Sequence, residues 1–259
     1  MTALWNGLAN HLHGFLFGIY PYICAGVFFV GSLIRFDRDQ YTWRSGSSQL
    51  LRAKQLRLGS NLFHFGILFL FFGHFLGLLT PHWAYEWFLD PATKQRIAIT
   101  AGGIAGAVCF VGLTMLLHRR LFDDRIRRTS TGVDIFILLL LWVQLVLGLI
   151  TLPFSLGHSD GGVMLALSAW AQSIVIFRTG AAELIHGLAW PYLVHLVLGM
   201  TLFLVTPFSR LVHIFSAPIW YLFRSWQIVR VRGGATRRPG PVARPGATSL
   251  ARPGATAAE

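Results

Sequence analysis

The chain reads as an all-α integral membrane protein with five transmembrane helices, its N-terminus outside (periplasmic) and its C-terminus cytoplasmic. Three observations predict this. Of 259 residues, 54% are hydrophobic and only 12% charged, against roughly 25% charged in ordinary soluble domains. Five apolar runs reach the about 20 helical residues that a hydrocarbon core of about 30 Å requires. The basic residues then gather on one side of those runs.

The five runs cover about 14–34, 61–80, 97–117, 133–153 and 189–213. The first follows MTALWNGLANHLHG, which has no basic n-region and no small-residue cleavage site, so it is expected to be kept as a helix. The second carries no formal charge. The third starts just after Lys94 and Arg96 and ends at His118, beside Arg119 and Arg120, where cations suit a helix C-terminus. The fourth opens at Val133, with Asp134 at its end, and the fifth begins beside Pro191. A sixth run, GVMLALSAWAQSIVIF at 162–177, is only 16 residues long and interrupted by small and polar residues. It is expected to lie at the interface rather than to span.

Charge supports this count. With five spans and an outside N-terminus, the inner segments 35–60, 118–132 and 210–259 hold 19 of the 22 Lys and Arg. The outer segments hold Lys94, Arg96 and Arg178. A sixth span would move the Arg-rich C-terminus outside and break the positive-inside pattern. The net charge of +12 is therefore topological, and a nucleic-acid partner is not expected. After residue 232 the tail 233–259 repeats A-R-P-G-A-T at 243–248 and 251–256. Its composition cannot build a core, so disorder is expected there. The preceding APIWYLFRSWQIVRVR (217–232) mixes aromatics with Arg, as an interfacial or subunit-docking helix would.

Cys24 and Cys109 lie in separate apolar runs without a C-x-x-C pair. That pattern excludes cysteine-held iron–sulfur clusters, zinc ribbons and thioredoxin-type motifs. The absence of C-x-x-C-H also excludes covalently attached haem. Both cysteines read as small helix-packing residues.

The ten histidines carry the chemistry. His11 and His13 are expected to be solvated or interfacial, His82 to sit at the interface, His118 to end the third span, and His158 to lie in an outer loop. His186 precedes the fifth span and should lie outside the bilayer. His64, His74, His195 and His213 fall inside the second and fifth spans. An ionisable residue at that depth is a functional candidate by default.

Antiparallel spans sort these four into an inner pair, His64 with His213, and an outer pair, His74 with His195. Eighteen residues make five helical turns, so His195 and His213 should share one face of a single helix. Ten residues leave His64 and His74 about 80° apart, an offset that tilt or curvature must absorb. One imidazole from each of two facing helices gives a six-coordinate iron that transfers electrons without binding oxygen. Two haem b groups between helices 2 and 5 are the expected cofactors. Gly66, Gly73, Gly77 and Gly199 would let a macrocycle or a neighbouring helix approach. A zinc or copper site needs three or four ligands at one depth. A proton relay is the rival reading, but no Asp or Glu lies well inside any span.

These residues also stand in long recognisable stretches: IYPYICAGVFFVGSLIRFDRDQYTWRSGSSQLL (19–51), SNLFHFGILFLFFGHFLGLLTPHW (60–83), KQRIAITAGG (94–103), RRLF (119–122), STGVDI (130–135) and HLVLGMTLFLVTPFSRLVHIFSAP (195–218). They resemble the gamma subunit of the membrane-bound respiratory nitrate reductase, a di-haem cytochrome b, over roughly 12–232. Residues 1–232 then form the cytochrome b domain. The resemblance implies haem iron held by His64 with His213 and by His74 with His195. It also implies a quinol pocket near His74, Gly73 and Lys94 on the outer side. The implied substrate is menaquinol or ubiquinol. Its protons would leave outside, and its electrons would pass to a cytoplasmic iron–sulfur beta subunit and a molybdenum alpha subunit that reduces nitrate. The implied setting is the bacterial inner membrane, in anaerobic respiration and nitrate assimilation. A related quinol-oxidising cytochrome b serving a different cytoplasmic reductase would share every one of these features, and the partner would separate the two.

Overall fold

The computed structural model describes residues 2–43, 53–157 and 160–216. The tail 233–259, the segment 217–232 and His158 lie outside the described residues. Among the described residues there are helices and turns and no strand. Five helices are long and apolar enough to cross a bilayer: Gly7–Arg38, Lys54–Leu79, Pro91–Phe122, Gly132–Leu156 and Trp190–Phe208. Each apolar run continues into polar flanks at one or both ends, which is why four of the five exceed the apolar cores read from the sequence.

Helix α1 (Thr2–Gly14) passes through one π-turn, Phe15–Ile19, into α2 (Tyr20–Arg38). Pro21 has no N–H for the Phe17 carbonyl four residues earlier, so the regular ladder cannot continue there. The Trp170 indole N–H donates to that carbonyl at 3.0 Å and replaces the missing bond. Helix α3 (Ala53–Leu79) stops before Pro81, whose ψ of 150° is extended. Helix α4 (Pro91–Phe122) has Pro91 in its first turn and Asp90 as N-cap, the carboxylate accepting from Thr93 N at 2.9 Å. Those bonds to Thr93 hold the Asp90 carboxyl below its ordinary pKa. A short α5 (Asp124–Arg128) is capped by Asp123. Helix α6 (Gly132–Leu156) opens on a reciprocal capping box between Thr131 and Asp134.

Helix α7 (Gly162–Val175) has 14 residues, about 21 Å at 1.5 Å per residue and too short to span. It closes the end of α3: Ser168 Oγ donates to Gly77 O, and the Gln172 amide donates to the Leu78 and Thr80 carbonyls. Helix α8 covers Trp190–Val205. Here the expectation of one helix over 189–213 is overturned. Pro207 cannot donate within the ladder and crowds the preceding turn, so the chain goes on as two 3-10 segments, Thr206–Phe208 and Arg210–Ser216, with extended Ser209 between them. The Arg35 guanidinium donates to the Pro207 and Ser209 carbonyls, both at 2.7 Å. It thus satisfies acceptors freed where α8 ends.

The α3–α4 crossing is nearly backbone against backbone. A Cβ on Gly66 would stand 2.6 Å from Cys109 Cβ, and one on Gly112 would meet the Phe63 amide nitrogen and, at 2.8 Å, the Gly59 carbonyl. Cys109, fully buried, sits in this seam with Leu113 and Leu145. Cys24 is likewise buried and unbridged. At the end carrying Arg210, the nearly buried Asp134 carboxylate accepts from Arg210 and lies 3.4 Å from Arg120. One side chain so ties α4, α6 and the chain after α8.

Two outcomes follow. Gly112→Ala puts a methyl into a site with no free volume and should cost about 1–3 kcal/mol, the usual range for overpacking. A lower thermal midpoint in detergent, against an unchanged Gly102→Ala control whose Cβ meets nothing within 4 Å, checks this. Asp134→Asn removes the carboxylate that faces two partly buried arginines, with an expected loss of about 3 kcal/mol measured in the same way.

Candidate functional site: two histidine pairs across one bundle

The structure brings the four intramembrane histidines together two by two. The His74 and His195 rings have centroids 6.2 Å apart with planes at 38°, and the His64 and His213 rings 6.5 Å apart at 69°. Helix α3 supplies one member of each pair. Helix α8 supplies His195, but His213 belongs to the 3-10 segment after the break. The expectation that His195 and His213 share a helix face therefore falls. The break also accounts for the 80° offset on α3: the chain carrying His213 leaves α8 and turns as a 3-10 segment, so α3 needs no special tilt.

Each imidazole is oriented by its Nδ1. His64 Nδ1 lies 2.7 Å from Ser60 O, His74 Nδ1 2.7 Å from Leu70 O, His195 Nδ1 3.1 Å from Gln144 O, and His213 Nδ1 2.6 Å from Arg210 O. A carbonyl can only accept, so each Nδ1 carries the proton and donates it. In the neutral ring that tautomer leaves Nε2 with a lone pair, the form in which an imidazole ligates a metal.

The residues can be tested against the expected haem by distance. Two imidazoles bound through Nε2 at about 2 Å to one metal, each nitrogen about 1.1 Å from its ring centre, put the centroids about 6.3 Å apart. Both pairs match that spacing. Among the described residues no three His, Cys, Asp or Glu side chains converge as metal ligands, so the histidines stand in twos. Gly148 adds a cradle: a Cβ there would come within 2.9 Å of His195 Cε1.

The faces around the pairs are apolar. Phe65, Phe69, Phe72 and Phe75 of α3 are exposed on the isolated chain. At the His74 end, Lys94 Nζ is buried without a hydrogen-bond partner and lies 3.8 Å from the centre of the Tyr85 ring. Tyr85 is itself nearly buried, and burial raises its phenol pKa, so the ring stays neutral beneath the ammonium. Gly73 has open space where a Cβ would stand.

The other histidines do different work. His13 is partly buried rather than freely solvated: its Nε2 is 2.9 Å from Ala182 O and its ring packs on Phe17 and His186, centroids 4.7 and 4.9 Å away. His82 bonds Glu86 at 2.7 Å, and His118 packs against Phe122 inside an α4 that runs past it. Sequence reasoning missed Gln144, Gly148 and Tyr85. Gln144 did leave a trace, as the one amide side chain in the apolar stretch 133–156.

Comparison with known proteins shows the family. The family model described as nitrate reductase gamma subunit matches residues 13–232. Respiratory nitrate reductase 1 gamma chain of Escherichia coli (strain K12) is 55% identical over 221 residues, covering 85% of this chain and 98% of its own. Respiratory nitrate reductase 2 gamma chain of the same organism is 53% identical, covering 87% and 100%. Nitrate reductase gamma chain of Bacillus subtilis (strain 168) is 38% identical, covering 84% and 97%. The E. coli names are respiratory, so the nitrate-assimilation setting expected above is dropped. With a matched family model over most of its length, and with these relatives aligned nearly end to end, the chain belongs to the nitrate reductase gamma subunit family.

Proposed function

We propose that this multi-pass membrane protein is the di-haem b subunit of a respiratory nitrate reductase, oxidising quinol at the outer side of the bacterial inner membrane. The observation that carries the reading is the pairing of four Nδ1-anchored histidines at metal-bridging distance. In this reading the N-terminus is outside, as the Lys and Arg distribution favours, and the His74–His195 pair is the outer one. Nitrate chemistry belongs to the molybdenum alpha subunit, reached through the iron–sulfur beta subunit on the cytoplasmic face.

Each residue then has a defined task. Two haem b groups, when bound, supply one-electron transfer between the outer and inner pairs. His74 and His195 hold one of them through Nε2, and His64 and His213 hold the other. The Ser60, Leu70, Gln144 and Arg210 carbonyls keep the protons on Nδ1, which makes the imidazoles better ligands. The apolar walls of α3 exclude water. Lys94, with a buried ammonium that lacks a hydrogen-bond acceptor, is placed to donate to a quinone oxygen, with Gly73 leaving room beside His74. A quinol that binds there gives up two electrons to the chain and two protons to the outside. Carrying each electron inward against 100 mV costs about 2.3 kcal/mol, so the outer-to-inner order of potentials has to offset that.

The reading is tested by the reduced-minus-oxidised visible spectrum of the assembled complex. The wild type should show two b-type haems per chain. His74→Ala or His195→Ala should remove one of them and leave the other, and His64→Ala or His213→Ala should remove the second. Retention of both haems in any single variant would refute the pairing. Lys94→Ala should keep both haems while quinol-driven haem reduction falls about tenfold or more, the loss expected for one charge-assisted hydrogen bond. Unchanged quinol kinetics would remove Lys94 from the pocket.

A further inference from the structure

The four imidazoles are not held alike. His64, His74 and His213 each donate from Nδ1 to a carbonyl of their own segment, three or four residues earlier. His195 donates to Gln144 O on α6, a different helix. The Gln144 side chain folds back over the same residue, its amide nitrogen 3.1 Å from His195 O and 3.4 Å from His195 Nε2. One turn further along α6, Gly148 leaves the ring edge no spare room, since a Cβ would reach 2.9 Å from Cε1 and 3.6 Å from both ring nitrogens. Gly199 on α8 accommodates the Gln144 amide, whose nitrogen would be 3.2 Å from a Cβ there.

We infer that α6 is a third wall of the His74–His195 site, in which Gln144 and Gly148 act as positioning residues that set the rotation of the His195 imidazole plane. The inference rests on the haem reading above and goes beyond it, because it assigns control of one pair to a helix that supplies no ligand.

The physical reasoning is direct. A histidine bonded to its own helix turns with that helix, whereas one bonded to a neighbour is fixed by the packing of two. Gln144 grips His195 at both ends: the backbone carbonyl takes the Nδ1 proton, and the side-chain amide holds the His195 carbonyl while lying beside Nε2. Gly148 closes the remaining degree of freedom, rotation toward α6. Among the described residues no comparable grip acts on His213, so the 38° and 69° ring-plane angles of the two pairs can be set independently. Ligand orientation and outer hydrogen bonds are levers by which a protein tunes a bound iron. Gln144 Oε1 is buried and has no hydrogen-bond partner. The amide is therefore held through its nitrogen alone, as a group oriented for His195 would be.

The test uses the assembled complex in oxidised membranes, read by low-temperature electron paramagnetic resonance and by redox titration. The largest g value of a low-spin ferric haem reports the mutual angle of its two ligand planes. Wild type should give two such signals. Absence of any low-spin haem signal would overturn the di-haem function itself. With both signals present, Gly148→Ala and Gln144→Leu should each shift the g value and midpoint potential of the haem lost in His74→Ala, and leave the other haem where it was. Gln144→Leu adds no atom to the Gly148 contact, so it carries the test if Gly148→Ala does not assemble. Gln144→Glu, which retains the backbone carbonyl and an acceptor but loses the amide N–H groups, should shift the same haem. If these variants leave both haems unmoved, or move the two equally, α6 does not position His195 and the inference is overturned while the di-haem function stands.

Discussion

The α3–α4 seam is the constraint on which the rest of the site depends. Gly59, Gly66 and Gly112 let the two backbones approach until no side chain fits between them. Between helices in lipid there is little hydrophobic driving force, and close packing of small residues takes over. Because α3 is pinned on α4 along this line, its rotation is fixed. That sets the directions in which α3 presents His64 and His74, whose partners lie on α8 and on the chain after it. A helix free to turn by even a third of a revolution would point both imidazoles elsewhere.

Prolines make the second level of organisation, and each comes with the partner that offsets it. Pro21 leaves the Phe17 carbonyl without an amide, and Trp170 of α7 donates to it. Pro207 ends α8, and Arg35 of α2 donates to the Pro207 and Ser209 carbonyls. Backbone irregularity inside a membrane persists only where protein groups satisfy what it exposes. The two breaks sit at opposite ends of the bundle, and the second one shapes the His64–His213 pair. Without it, His213 would lie in line with His195 and could not meet a His64 that is rotated away from His74.

The two pairs differ in how they are built. The His74–His195 pair has an amide-gripped histidine and a glycine with open space beside His74, and a lysine over a tyrosine ring stands where α4 begins. At the Arg210 end, the neighbours of the other pair are charges compensated within the chain, with Asp134 shared by Arg120 and Arg210.

Much of this was legible in the residues themselves. Five apolar runs, one-sided arginines and four histidines within two runs determined the fold class, the number of spans and the members of each pair. They did so because bilayer thickness, the cost of an intramembrane imidazole and helix direction are all one-dimensional constraints. The boundaries and the faces were not legible in that way. A helix over 189–213 was expected from hydropathy alone, since the run stays apolar through Pro207. Pro207 is the local reason the helix ends, and the tertiary structure supplies the donor that lets the break persist, an arginine 172 residues away in the chain. Gln144 and Gly148 are a similar case. Gln144 stands out locally only as the one amide of its run and Gly148 not at all, and their role arises only when α6 packs against α8 and brings a carbonyl, an amide and a missing Cβ around one ring.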